Sequence, residues 1–178
     1  VGDYALLIDY LQAHQLTLTT VLITHRHHDH TNGLAELRSK HPQIPVYGHN
    51  SIAHITHALT GGEILNIKDF GRFLVLDTKG HTQYHLAYYH LQQKLLYCGD
   101  SLFSGGCGRI FPDGSAENSY HSLQKISLLP EDTQVCGSHE YTLDNLAFAQ
   151  HIEPNNLELI NYQRHCQQLR QQNLATLP

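Results

Sequence analysis

Thr24-His25-Arg26-His27-His28-Asp29-His30 decides how this chain is read: from His25 onward it spells H-x-H-x-D-H. Three chelating imidazoles and a carboxylate within six residues make a metal-site signature. On extended backbone, alternate side chains share a face, so His25, His27 and Asp29 are expected on one side and His30 on the other. Ahead of the motif, Val21-Leu22-Ile23 is an apolar, β-branched run that reads as a strand. Behind it, Thr31-Asn32-Gly33 supplies a turn, and helical periodicity starts at Leu34. Strand, ligand loop, helix is the expected order, with the loop at one end of a sheet.

Working outward, Asp3 is positioned to cap a helix over residues 3–14, with Tyr4, Leu7, Ile8 and Leu11 on one face. A second helix is expected over 34–39, stopping before Pro42, and a short strand over Ile44-Pro45-Val46-Tyr47. Residues 48–62, with His49, His54 and His57 among small and β-branched residues, are compatible with helix or loop. Four strand-like runs follow at 64–67, 73–77, 86–89 and 95–98, with a hairpin at Gln92-Gln93-Lys94. Ser115 opens a helix with Tyr120, Leu123 and Ile126 on one face, ending at Pro130. A strand at 133–136 precedes two polar, glutamine-rich helices at 142–151 and 156–172, split by Glu153-Pro154. The pattern is that of an α/β sandwich, with a boundary placed near residue 141.

If the loop binds metal, other donors belong at strand ends. Gly80-His81, Gly99-Asp100 and Gly137-Ser138-His139 each place a glycine one or two residues before a donor. The candidates divide into His25, His27 and His81 against Asp29, His30 and His139, with Asp100 over. Seven donors exceed one four-coordinate ion and suit two ions sharing a carboxylate. Nitrogen and oxygen donors without thiolate fit divalent zinc, with iron or manganese as alternatives.

The 178 residues are 40% apolar and 15% charged, which suits one soluble domain. A net charge of −5 without a basic cluster argues against nucleic acid as a partner, and no apolar run approaches bilayer length. Cys98, Cys107, Cys136 and Cys166 form no C-x-x-C pair, and reduced thiols in a cytoplasmic monomer are expected. Sixteen histidines are too many for one site, so His14, His41, His90, His121, His151 and His165 are read as surface or packing residues. His28 is read as a non-ligand, His85 as a core or supporting histidine, and Cys107 as packed between Gly106 and Gly108.

H-x-H-x-D-H followed by Gly80-His81-Thr82, Gly99-Asp100 and a late histidine resembles the metallo-β-lactamase fold hydrolases. Within them the chain is most similar to the hydroxyacylglutathione hydrolases (glyoxalase II). The stretches carrying that similarity are Leu22-Ile23-Thr24-His25, Tyr97-Cys98-Gly99-Asp100-Ser101-Leu102-Phe103-Ser104-Gly105-Gly106-Cys107-Gly108-Arg109 and His139-Glu140-Tyr141-Thr142, with Thr176-Leu177-Pro178 similar to that family's helical tail.

The resemblance implies an αββα sandwich with a short C-terminal helical segment: a catalytic domain over 1–141 and the start of a glutathione-binding region over 142–178. It implies one metal on His25, His27 and His81 and another on Asp29, His30 and His139. Asp100 would bridge, with Asp29 and Asp100 serving catalysis. A glutathione thioester, S-lactoylglutathione typically, would be contacted near Arg109, Phe111 and Tyr141 and hydrolysed by metal-activated hydroxide, as in methylglyoxal detoxification. A guanidinium such as Arg109 also suits an anionic tripeptide on its own chemistry.

Two residues depart from the family pattern: Tyr84 stands where it has glycine, and Lys79 where it has proline. Tyr84 is expected to narrow the pocket or contribute a hydroxyl. The family's opening strands and closing helices lie outside these 178 residues, so lower stability and weaker glutathione affinity are expected. A lactonase or a sulfur dioxygenase of the same fold, or an inactive metal-binding remnant, are the competing readings.

Overall fold

The computed structural model describes residues 1–176; the expected tail residues Leu177 and Pro178 lie outside them. Helix α1 (Tyr4–Ala13) starts at Asp3, whose carboxylate accepts the Leu6 N–H at 3.0 Å. Tyr4, Leu7, Ile8 and Leu11, the expected inner face, are the residues of this helix that are half-buried. Strand β1 (Val21–Leu22) leads into the histidine loop, a single turn α2 (His28–Thr31) and helix α3 (Leu34–Lys40). Strand β2 (Val46–Gly48) lies parallel beside β1, with Val21 opposite Val46. Residues 48–62, readable as helix or loop, are turns and a two-residue strand β3 (His57–Ala58) that completes a three-stranded sheet.

The second sheet has five strands in sequence order: β4 (Ile64–Ile67), β5 (Gly71–Asp77), β6 (Leu86–His90), β7 (Leu95–Gly99) and β8 (Gln134–Gly137). Its first four strands are antiparallel and β8 is parallel to β7. The crossover to β8 is α4 (Ala116–Ser127), and α5 (Thr142–Ile152) and α6 (Leu157–Gln171) follow.

Three separate apolar clusters define the layers. Val21, Ile23, Val46, Leu34 and Leu37, with Tyr4 and Leu7 against them, join α1 and α3 to the first sheet. Phe73, Val75, Leu86 and Tyr88 meet Leu22 and Tyr47 between the sheets. Leu76, Ala87, Tyr89 and Leu96 pack on Ile126 of α4. Alternate residues of β5 and β6 thus enter different clusters, as the two-residue period of a strand buried on both faces requires. The result is the expected four-layer αββα sandwich. Between its sheets the Tyr88 hydroxyl donates to the Ile23 carbonyl at 2.6 Å.

One residue of an expected face is misplaced: in α4 Ile126 is buried and Leu123 half-buried as expected, but Tyr120 is 60% exposed and Ser122 is buried. The helix runs against the loop at Gly80, where a Cβ would come within 2.4 Å of the Ser119 Cα, so small residues face inward. Ser122 Oγ donates to the Lys79 carbonyl at 2.6 Å.

Candidate metal centre

The histidine loop leaves β1 extended and bends earlier than its Thr31-Asn32-Gly33 signal suggests. His27 caps the turn α2 with extended backbone (φ −62°, ψ 151°), so the helical conformation begins at His28. Asp29 is therefore parted from His25 and His27 and grouped with His30, contrary to the alternation expected of extended chain. His28 is exposed, its Nδ1 2.9 Å from Asn32 Oδ1.

Four segments of the chain meet at one end of the sandwich. His25, His27, His81 and Asp100 offer donor atoms within 4.8 Å of one another, and so do Asp29, His30 and His139. His27 Nδ1 lies 2.9 Å from His25 Nε2 and 3.1 Å from His81 Nε2. Asp29 Oδ2 lies 3.1 Å from His139 Nε2 and 3.4 Å from His30 Nε2. Asp100 faces both sets: Oδ1 is 3.3 Å from His30 Nε2 and 3.5 Å from His139 Nε2, while Oδ2 is 3.5 Å from His81 Nε2.

The surroundings orient these donors. His81 Nδ1 donates to the Arg109 carbonyl at 2.7 Å, leaving Nε2 with a lone pair for the centre. Thr24 Oγ1 lies 3.1 Å from His25 Nδ1. Ser138, unrecognised in the sequence although it adjoins His139, donates its hydroxyl to Asp100 Oδ1. Burial, then the neighbouring His85 and His30, pushes the His25 imidazole far below its ordinary pKa, so it is neutral. Burial and then His81 and Arg26 lower His27 too. Burial alone would raise the Asp100 carboxyl, but the close His30 imidazole, the Ser138 hydroxyl and the other facing imidazoles hold it well below the usual carboxylate range.

These features fit a cation. Imidazole nitrogens 2.9–3.1 Å apart cannot all donate to one another. Nitrogens bound at about 2.0–2.1 Å around a tetrahedral ion sit roughly 3.3 Å apart, close to what is seen. His30 Nε2 is buried without a hydrogen-bond partner while aimed at two carboxylates, as an imidazole awaiting a cation would be.

Over the donors opens a cavity of about 620 Å³, lined by Arg109, Phe111, Tyr141, Phe103, Cys107 and Asn145. The Arg109 guanidinium sits 4.4 Å from the Phe111 ring centroid, and Phe111 packs 4.3 Å from His27. Tyr141 stacks on His139 with centroids 5.0 Å apart. Cys107, expected to be packed between glycines, is exposed on this cavity instead. Asn145 was missed by the sequence reading. It lies four residues after Tyr141, one turn along α5, which is the spacing that puts two side chains on one helix face. Its Nδ2 donates to the Ser104 carbonyl at 3.1 Å. Tyr84 neither narrows this cavity nor offers it a hydroxyl: its ring stacks on His49 at 3.9 Å and lines a separate cavity of about 470 Å³.

The His139-Glu140-Tyr141-Thr142 stretch has two faces. His139 and Tyr141 look into the site, while Glu140 Oε2 accepts the Thr176 N–H at 2.9 Å and Thr142 Oγ1 meets Thr176 Oγ1 at 2.5 Å. The strand end that carries a donor thereby also fastens the tail.

A four-layer sandwich with histidines and aspartates gathered at its sheet ends defines the metallo-β-lactamase class, and the sequence model of the metallo-beta-lactamase superfamily matches residues 2–139. The model of the hydroxyacylglutathione hydrolase C-terminus matches residues 140–178. The hydroxyacylglutathione hydrolase of Shewanella pealeana is 48% identical over 181 aligned positions, covering 99% of this chain and 68% of that protein. Among solved structures, the BLEG-1 B3 metallo-beta-lactamase superposes with a TM-score of 0.69 at 31% identity, covering 77% of each chain. TTHA1623, solved in a di-iron-bound form, gives 0.66 at 26% identity, covering 78% of each. The chain belongs to the hydroxyacylglutathione hydrolase family of the metallo-β-lactamase superfamily.

Proposed function

We propose that the chain is a thioester hydrolase that cleaves S-2-hydroxyacylglutathione, S-lactoylglutathione in particular, to a 2-hydroxy acid and glutathione, using two divalent ions. The observation that carries this reading is the placement of Asp100. Its two carboxylate oxygens face different donor sets, directly beneath a cavity that holds Arg109. In this reading His25, His27 and His81 would hold one ion and Asp29, His30 and His139 the other, with Asp100 available to both sets. Bound there, two such ions supply a water deprotonated near neutral pH and Lewis-acid pull on a carbonyl oxygen.

The chain's own residues do the rest. Asp29 and Asp100 accept hydrogen bonds from the nucleophilic water and fix its direction. Arg109 pairs with a glutathione carboxylate through a planar fork, and Phe111 and Tyr141 wall the thioester between them. Asn145 offers an amide to the peptide portion. A thiolate leaves without a strong general acid, so none is required of the cavity.

Zinc is the proposed ion, since imidazole-rich donor sets without thiolate suit it. Residues 1–141 would form the catalytic unit and 142–178 the start of the glutathione-binding one. Among the described residues no helix is long and apolar enough to cross a membrane, and a cytoplasmic monomer acting on small thioesters in methylglyoxal detoxification is the proposed setting. The test is turnover by the zinc-loaded chain. Thiol release from S-lactoylglutathione, with no ring opening of a simple lactone and no oxygen consumption, supports the reading. Lactone cleavage or oxygen uptake without thiol release overturns it.

A further inference from the structure

His85 takes no part in the chemistry above, yet it is fully buried and touches both His25 and Asp100. Its ring stacks on His25 with centroids 4.8 Å apart and planes 22° apart. Its Nε2 accepts the backbone N–H of Asp100 at 3.2 Å. On the other side, Nδ1 lies 2.9 Å from Thr78 Oγ1 and 3.1 Å from Ser101 Oγ.

The proton on this ring can be assigned from its partners. Ser101 Oγ donates to the Thr78 carbonyl at 3.2 Å, and Thr78 Oγ1 to the His85 carbonyl at 3.5 Å. Because Nε2 accepts the Asp100 N–H, the neutral ring carries its hydrogen on Nδ1, facing the Thr78 and Ser101 hydroxyl oxygens. Nε2, facing an N–H, is bare. The reverse tautomer would set two donors against each other at the Asp100 N–H.

Asp100 needs such a brace. It follows Gly99, whose φ of +52° is left-handed, at an irregularity in the β7–β8 register. A Cβ at Gly99 would lie 2.7 Å from Thr24 Oγ1 and 2.9 Å from His85 Nε2. No side chain at position 99 can hold the turn, and His85 occupies the space against it.

We infer that His85 is a positioning residue: fixed as its Nδ1–H tautomer, it holds the backbone of Asp100 where the carboxylate can face both donor sets. The inference rests on the reading of Asp100 as the shared ligand, and two arms separate them. Nitrogen-15 NMR of the histidine rings in the metal-free chain reads the tautomer with no appeal to metal. A pyrrole-type Nδ1 and a pyridine-type Nε2 at His85 support the inference, and the opposite pattern or a cationic ring overturns it.

The second arm compares His85→Gln, whose amide oxygen can reach the Nε2 position, with His85→Asn, which reaches only the Nδ1 side. Zinc affinity under chelator competition is expected to fall about 10–100-fold in H85N, as for other residues that orient ligands, and only a few-fold in H85Q. Equal losses, or none, overturn the positioning role. A wild-type chain that binds a single ion overturns the bridging assignment instead, while the tautomer result still stands for or against His85.

Discussion

Asp113 and Arg26 join two loops 87 residues apart: Arg26 Nη2 lies 3.0 Å and Nε 3.2 Å from the same Asp113 oxygen. That oxygen also accepts the Gln83 N–H at 3.3 Å. Arg26 separates His25 from His27, and Gln83 follows His81 by two residues, so one carboxylate ties together both loops that carry the first donor set. The pair is partly exposed, and such ion pairs contribute about 0–1 kcal/mol to stability. Asp113→Ala should therefore move the unfolding midpoint little while lowering zinc affinity several-fold, with Arg26→Ala behaving alike. Chelator titration beside thermal melting checks this; a large melting shift with unchanged affinity would refute it.

The Arg109 guanidinium should matter to binding more than to chemistry. A charge-assisted hydrogen bond of about 1.5–3 kcal/mol corresponds to roughly 10–100-fold in KM. Arg109→Ala is expected to raise KM for S-lactoylglutathione by that factor with kcat little changed, and Arg109→Lys to recover only part, lacking the planar fork. Initial-rate kinetics decide it, since a fall in kcat at constant KM would place Arg109 elsewhere in the cycle.

The thiols should report the cavity. All four cysteines are free, and only Cys107 is exposed. Burial pushes the Cys98 thiol up to about 12 and raises Cys136 and Cys166 as well. Alkylation of the native chain should show one fast site, lost in Cys107→Ser and slowed by added glutathione. Glutathione that leaves the Cys107 rate untouched would argue that it binds outside the cavity.

A pH effect is expected away from the centre. Partial burial pushes the Glu63 carboxyl up, but N–H bonds from Thr60 and Gly61, each 2.7 Å, outweigh it and hold the group below its ordinary value. A carboxylate lowered in the folded state stabilises fully above its unfolded value, about 4.3, and loses that contribution as pH falls through the folded value. Metal-free wild type should thus exceed Glu63→Gln in stability at neutral pH, with the gap closing below about pH 4. Urea unfolding across that range measures it, and a pH-independent gap would show that charge is not the cause.

Much of this was legible in the sequence. The candidate donors that the structure gathers were readable because chelation demands particular side chains, and each later candidate follows a glycine. The order of helices and strands pointed to an α/β sandwich, and the family resemblance implied its four layers. Strand β3 was not readable: it has two exposed residues, too few for any alternation. The side on which Asp29 falls depends on where the chain bends, and the bend at His28 precedes the residues that look like a turn. Ser119 and Ser122 face inward against the loop at Lys79 and Gly80, distant in sequence, and the partners of His85 come from separate segments. Each of these belongs to tertiary contact and leaves no local pattern.

The account stands on Asp100 serving both donor sets, and the metal-to-protein ratio of the wild type and Asp100→Ala tests it most directly. With thiol release assayed on the same preparations, the wild type should carry two ions and turn over, while Asp100→Ala should hold at most one tightly and lose nearly all activity. An Asp100→Ala chain that kept both ions and its full rate would contradict the account.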